Sequence, residues 1–344
     1  MSAGTERDRA IEAFLAGAGW AGATRAPLAD DASFRRYERV RMGSAQAVLM
    51  DAPPGHEDVR PFLAVDRLLR RLGLSAPEVL AEDVAAGLLL LEDFGDATMT
   101  RLLAAGEAEE PLYALALDAL IHLHRRFAVH DPAAAGLPLY DQTRFLDEAA
   151  LFVDWCWPAI KGAPCPAAER AAYLGLVANA LEAASGSFRT LVLRDFHVDN
   201  IMRLPDREGV AACGLLDFQD AVIGPAAYDL VSLFEDARRD VDPAMAQRLM
   251  ARYFAAFPGV DPTAFAAAYS ALGAQRALKV LGIFTRLDRR DGKSQYLRHI
   301  DRLWRWLALD LAHPQLAELR GWLDAAFPPD LRRAPKAAPG AGVP

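Results

Sequence analysis

Leu193-Arg194-Asp195-Phe196-His197-Val198-Asp199-Asn200, and after it Gly214-Leu215-Leu216-Asp217-Phe218-Gln219-Asp220, make the rest of the chain legible. Short apolar runs (Leu191-Val192-Leu193, Ile201-Met202, Val210 to Leu216) alternate here with polar loops, which reads as small strands inside a mainly helical region. Asp195 and Asn200 close the two ends of an Asp-x-x-x-x-Asn loop. Asp217 lies on the far side of a hairpin, from where it can approach Asn200. That spacing offers one carboxylate beside a carboxylate–amide pair. Phosphoryl transfer asks for few parts beyond these. A carboxylate orients the attacking hydroxyl and accepts its proton, and oxygen ligands hold Mg²⁺ against the phosphates. Positioning and charge neutralisation supply most of the acceleration.

Outward from this core, the character of the chain changes once, at Glu92-Asp93-Phe94-Gly95-Asp96. Before it, residues 5–18 read as a helix and 33–41 and 46–51 as paired strands about Gly43-Ser44. Pro53-Pro54-Gly55 breaks the chain. A helix follows over 57–72, with Phe62, Val65, Leu68, Leu69 and Leu72 at helical spacing, then strands over 78–82 and 87–92. After it, alanine-rich helices are expected over 97–104, 110–128, 143–156, 166–185, 226–236, 243–256, 261–288, 294–312 and 314–326. The layout is α+β: a small sheet-rich lobe over 1–91, a linker at 92–96 and a larger helical lobe over 97–330. The tail 331–344, rich in Pro, Ala and Gly, is expected to be disordered.

Bulk properties narrow the function. The chain has 344 residues, of which 53% are hydrophobic, enough for a large core or two modest ones. A net charge of −8 argues against broad nucleic-acid binding. Cys156, Cys165 and Cys213 are odd in number and match no zinc spacing, so they read as small buried hydrophobes in a reducing cytosol. Met1 to Trp20 is amphipathic rather than a signal peptide, and no uncharged run is long enough to span a membrane. Lysine is scarce: Lys161, Lys279, Lys293 and Lys336 are the four, against abundant arginine.

Together the central motifs resemble the aminoglycoside phosphotransferase and choline kinase family, a branch of the protein-kinase-like superfamily. Its loop reads His-Gly-Asp-x-His-x-x-Asn, followed by Ile-Asp-Trp/Phe and Gly-Asp-Pro-x-x-Asp-Leu. Here the counterparts are Leu193 to Asn200, Leu216-Asp217-Phe218 and Gly224-Pro225-Ala226-Ala227-Tyr228-Asp229-Leu230. The resemblance implies a protein-kinase-like bilobal fold over about 30–310, with ATP and Mg²⁺ as cofactors. It makes Asp195 the catalytic base, Asn200 and Asp217 the metal ligands, and His197 and Asp229 supports of the loop.

The nucleotide end departs from the kinase pattern of a glycine-rich loop and a strand lysine. The loop position, Asp30-Asp31-Ala32-Ser33-Phe34-Arg35-Arg36-Tyr37, has no glycine, and no lysine precedes Lys161. Either Ser33, Phe34, backbone N–H groups and Arg35 or Arg36 hold the nucleotide, or the lobe has lost it and the chain is a pseudokinase that binds a protein partner. Both readings stand on sequence alone, as does a solvated strand face for each arginine. Glu92 and Phe94 fall where the family's hinge meets adenine.

Within the family, four stretches resemble the anomeric sugar kinases of bacterial cell-wall recycling, which act on N-acetylmuramate and N-acetylglucosamine. They are Asp31 to Tyr37, Val48 to Pro54, Val192 to Asn200, and Lys279 to Leu287. The absent lysine belongs to that pattern. The implied product is a sugar α-1-phosphate, made in the cytoplasm by a monomer. The rival acceptors are an aminoglycoside, choline or another small alcohol. Glu148 and Asp154 fall where the family builds acceptor pockets, near Trp155 and Trp157, which are either ring-stacking or core. Gln219, Asp220 and His197 are further candidates for sugar contact. Arg276, Lys279 and Arg286 share roughly one helix side, which reads either as a carboxylate-binding patch or as a solvated basic face.

Overall fold

The computed structural model describes residues 3–28 and 35–338. It divides into two compact units, Met1–Arg126 with Val198–Ala221, and Phe127–His197 with Val222–Pro344. The chain therefore passes from one unit to the other within the motif segment itself, after His197 and again after Ala221.

The first unit is built on a five-stranded antiparallel sheet in the order β1-β2-β3-β5-β4. Its strands are β1 (Thr24–Pro27), β2 (Arg36–Met42), β3 (Ala45–Asp51), β4 (Val79–Asp83) and β5 (Leu88–Glu92). Four of these match the sequence reading; β1, a short mostly exposed strand with little apolar patterning, escaped it. Gly43 turns β2 into β3 with φ 61°, a left-handed conformation that glycine adopts without steric cost. Ile11 and Leu15 of the helix Ala3–Gly17 close one core with Val40, Ala47, Leu49, Leu88 and Leu90. The helix Arg60–Arg71 buries Phe62, Leu63, Val65, Leu68 and Leu69, each contributing about 1.5–3 kcal/mol. Phe62 stacks on Phe218 with ring centroids 4.9 Å apart, so this helix braces the residue next to Asp217.

The expected hairpin is present in the same unit: β7 (Ile201–Arg203) pairs antiparallel with β8 (Cys213–Leu215). Ser75 fastens it, donating its hydroxyl to Ala211 O at 2.7 Å and accepting from Leu215 N at 2.8 Å. In the second unit, β6 (Arg189–Val192) pairs with β9 (Val222–Pro225). These two strands frame the entrance and exit of the motif segment.

The second unit is organised around the helix Pro262–Asp291. The Asp261 carboxylate caps its start by accepting from Thr263 N at 3.0 Å. Packed against it are the helices Gln142–Leu151, Ala227–Phe234 and Ile300–Asp310. The single helix expected over 143–156 is instead an α-helix, Gln142–Leu151, that widens into a π-helical turn, Phe152–Cys156. The facing helix comes very close just before this turn. A Cβ at Gly282 would lie 2.3 Å from the carbonyl carbon of Leu151, so the two backbones meet where only glycine fits.

The expectations for 166–185, 294–312 and 314–326 likewise hold as helices with one tighter 3₁₀ end each. Residues 334–338 meet helices of the second unit through their backbone. Ala334 N donates to Asp301 at 2.9 Å, Arg289 donates to Lys336 O at 2.8 Å, and Ala338 N donates to Asp288 at 3.1 Å. Two helical carboxylates and an arginine thus bond the backbone at 334, 336 and 338, within the tail for which the sequence suggests disorder. Residues 339–344 lie outside the described residues.

Candidate active site

In the first unit, the hairpin sets Asn200 just before β7 and Asp217 just after β8. Leu216 N donates to Asn200 O at 3.0 Å, which brings the two side chains together. Asn200 Nδ2 donates to Asp217 Oδ2 at 3.3 Å, and Gln219 Nε2 donates to Asp217 Oδ1 at 2.6 Å. The predicted pair is thus real, and Gln219 joins it as a holder of the carboxylate. Asn200 and Asp217 supply hard oxygen donors, one amide and one carboxylate, the kind Mg²⁺ takes in ones and twos beside phosphate oxygens and water. The donor set fits that ion.

In the second unit, Asp195 is half-buried, and the cations whose charge bears on it include Lys279, Arg276 and Arg194. Asp229 organises the turn: its two carboxylate oxygens accept from Leu193 N at 2.7 Å and Arg194 N at 2.9 Å, and Ser232 Oγ donates to Arg194 O at 3.1 Å. Glu148 is a hub. It accepts from Tyr140 OH at 2.5 Å, pairs with Lys279 at 3.1 Å and binds Arg194. Lys279 also donates to Tyr228 OH at 3.4 Å, and Arg276 donates to Glu235 O at 3.4 Å. Arg276 and Lys279 are only 5% and 7% exposed, which overturns the solvated-face reading. Burial alone would raise the Asp195 pKa. Lys279, with Arg276 and Arg194, outweighs it and holds the carboxyl below its usual value.

Backbone strain marks the same two places. Arg194 (φ 69°) and Asp217 (φ 57°) are the non-glycine residues with left-handed φ among the described residues. Such conformations cost about 1–3 kcal/mol and cluster at functional sites.

Residues 24–265 match the phosphotransferase enzyme family. The chain is 38% identical to the N-acetylmuramate/N-acetylglucosamine kinase of Caulobacter vibrioides, over 97% of this chain and 100% of that protein. It is also 38% identical to the Pseudomonas aeruginosa protein of the same name, over 88% of each chain.

The chain belongs to the phosphotransferase enzyme family.

The GDP complex of aminoglycoside 2'-phosphotransferase-IIIa shares the fold of this phosphotransferase, with TM-score 0.63 at 17% identity over 88% of this chain and 99% of that one. The remaining expected residues of the phosphotransferase fall as follows. His197 is buried. Arg238 lies 3.4 Å from its Nε2, and burial, helped by Arg238, pushes its pKa down, so it stays neutral. It shares the second unit with Asp195. Asp220 sits in the hairpin's exit turn. Asp154 is exposed on the π-helical turn and pairs with Arg170 at 2.9 Å, away from the Glu148 hub. Trp157 packs against Trp322 and Phe327, which makes it core. Glu92 binds Arg207, whose guanidinium lies 5.3 Å from the Phe94 ring centroid. Arg35 pairs with Glu57, and Ser33 and Phe34 lie outside the described residues.

Sequence reasoning missed Arg194, Tyr140, Tyr228 and Ser232. Arg194 carried a signal, since it stands where the family motif has glycine, and a left-handed φ explains that glycine. Because its pKa is depressed, Asp195 is charged throughout the neutral and mildly acidic range, and this form is lost only as pH falls through that lowered value. Asp229 behaves oppositely: burial pushes its carboxyl up to about 7 against the pull of the Leu193 and Arg194 N–H groups, so an acid limb of kcat/KM near neutrality would report the turn that carries Asp195 and not Asp195 itself.

Proposed function

We propose that this phosphotransferase moves the γ-phosphoryl group of ATP to the anomeric hydroxyl of N-acetylmuramate and N-acetylglucosamine, giving the α-1-phosphates in cell-wall recycling. The observation that carries the reading is the turn held by Asp229 that presents Asp195, with the buried Lys279 and Arg276 nearby favouring its charged form. In this role Asp195 orients the C1 hydroxyl and takes its proton. The C1 oxygen forms a bond to the γ-phosphorus, the bond from that phosphorus to the bridging oxygen breaks, and ADP leaves with the electron pair. Asn200 and Asp217 would hold Mg²⁺, which when bound neutralises phosphate charge. Lys279 and Arg276 suit the lactyl carboxylate of N-acetylmuramate, while a cationic aminoglycoside would meet repulsion from them. Glu148 acts as the anchor for Lys279. Gln219, Asp220 and His197 are the proposed contacts for sugar hydroxyls.

In this reading 1–91 is the nucleotide lobe, with the backbone at 92–94 the adenine hinge. A cytoplasmic monomer suits the need for ATP. Among the described residues no helix is long and apolar enough to cross a membrane.

The test is an acceptor panel with Mg-ATP, read by phosphorus NMR. The expected result is phosphate at C1 of both amino sugars, with N-acetylmuramate favoured. Phosphate on a ring or primary hydroxyl, or turnover only of aminoglycosides or choline, overturns it.

A further inference from the structure

Protein kinases anchor the donor's phosphates with a strand lysine paired to a helix glutamate. In this chain β3 cannot supply that cation. Met50 is fully buried, and Asp51 at its end is tied to Arg7 at 2.5 Å. The first unit has no lysine at all, since none stands before Lys161 and the other three lie in the second unit. The strong cations left to this unit are arginines, and most of those in the sheet are committed to architecture. Arg25 pairs with Glu38, and Arg39 with Asp93 at 2.6 Å. Arg36 and Arg41 are exposed on β2.

Arg35 differs. Its Nη2 lies 3.0 Å from Glu57 Oε2, and the two side chains are only 11% and 15% exposed. Glu57 is itself fixed in the turn that precedes the helix Arg60–Arg71, its N–H donating to Pro53 O at 3.2 Å. Burial would lower the Arg35 pKa, but Tyr37, Glu57 and Asp220 outweigh it and keep the guanidinium charged. Asp220 follows Asp217 by three residues, so the field of the Asp217 turn reaches this cation. A guanidinium fork can hold a carboxylate with one edge and phosphate oxygens with another.

We propose that Arg35, oriented by Glu57, binds the nucleotide's phosphates in place of the absent strand lysine, so that an Arg–Glu pair from the β2 entrance and the Pro-Pro-Gly turn replaces the Lys–Glu pair of protein kinases. This rests on the reading of the protein as a nucleotide-dependent phosphotransferase. Arg35 is then a binding residue and Glu57 a positioning residue.

Binding of ADP and of adenosine by titration calorimetry tests it, because only ADP offers phosphates. Arg35→Met is expected to weaken ADP by about ten- to a hundred-fold, one or two charge-assisted hydrogen bonds. Adenosine affinity should stay within about two-fold of wild type by the same reasoning. Arg35→Lys should recover part of the loss. Glu57→Gln should raise the KM for Mg-ATP and leave the KM for the sugar unchanged. The proposal is overturned if Arg35→Met binds ADP as tightly as wild type. It is overturned equally if ADP and adenosine weaken together, which is the mark of a merely structural role. Failure of the wild-type chain to phosphorylate amino sugars would instead sink the acceptor assignment, and the ADP–adenosine comparison would still report on Arg35.

Discussion

Asp195→Asn is expected to lower kcat by about a thousand-fold or more, which corresponds to roughly 4 kcal/mol of barrier. The substitution keeps the shape of the side chain and removes only its capacity to accept a proton as an anion. The turn that carries it is held by Asp229 and Ser232, so the backbone there keeps its main supports. Substrate KM values should move far less than kcat, because the interaction removed is one that strengthens as the hydroxyl loses its proton. One cost is foreseeable. Lys279, Arg276 and Arg194 lose an anion that they neutralise, so the variant should melt slightly lower than wild type in low salt. A kcat within ten-fold of wild type, with the protein folded, would mean that another group serves as the base.

Gly282→Ala sets two effects against each other. Alanine in a helix interior is better than glycine by about 1 kcal/mol. The new methyl would, however, sit 2.3 Å from the Leu151 carbonyl carbon and 2.5 Å from its oxygen, both backbone atoms that cannot swing away. Overpacking of this kind costs about 1–3 kcal/mol or more, and here the neighbour immediately precedes a π-helical turn. The clash should win, with a net loss of about 2 kcal/mol and a melting temperature lower by several degrees. Activity should fall as well. Glu148 lies three residues before Leu151, and Lys279 three before Gly282, so parting these helices stretches the 3.1 Å ion pair beside Asp195. A variant that melts at or above wild type would show that the propensity gain outweighs the clash.

These outcomes separate what the sequence makes legible from what it hides. The Asp195, Asn200 and Asp217 motif is readable because phosphoryl transfer needs those side chains at fixed offsets, and the hairpin that joins Asn200 to Asp217 follows from apolar runs on either side of a polar loop. The small sheet is readable from alternation and from Pro53-Pro54-Gly55. The Glu148 hub is not. It gathers residues from four distant parts of the chain, Tyr140, Arg194, Tyr228 and Lys279, and no local pattern announces such a meeting. Nor could burial of Arg276 and Lys279 be read from a helix whose apolar residues surround its whole circumference. The close approach beside the π-helical turn is hidden for a related reason: Gly282, which permits it, lies far along the chain on a facing helix.

Arg194 shows what holds such a conformation in place. Glycine at that position would release the left-handed strain, roughly 1–2 kcal/mol for a side chain-bearing residue. It would also remove the link to Glu148 and the stacking over Tyr140, where the guanidinium lies 5.6 Å from the ring centroid. Relief of the backbone is thus set against the loss of a charged contact to a mostly buried carboxylate, two effects of similar size. The arginine stays folded into its awkward shape because its far end is held.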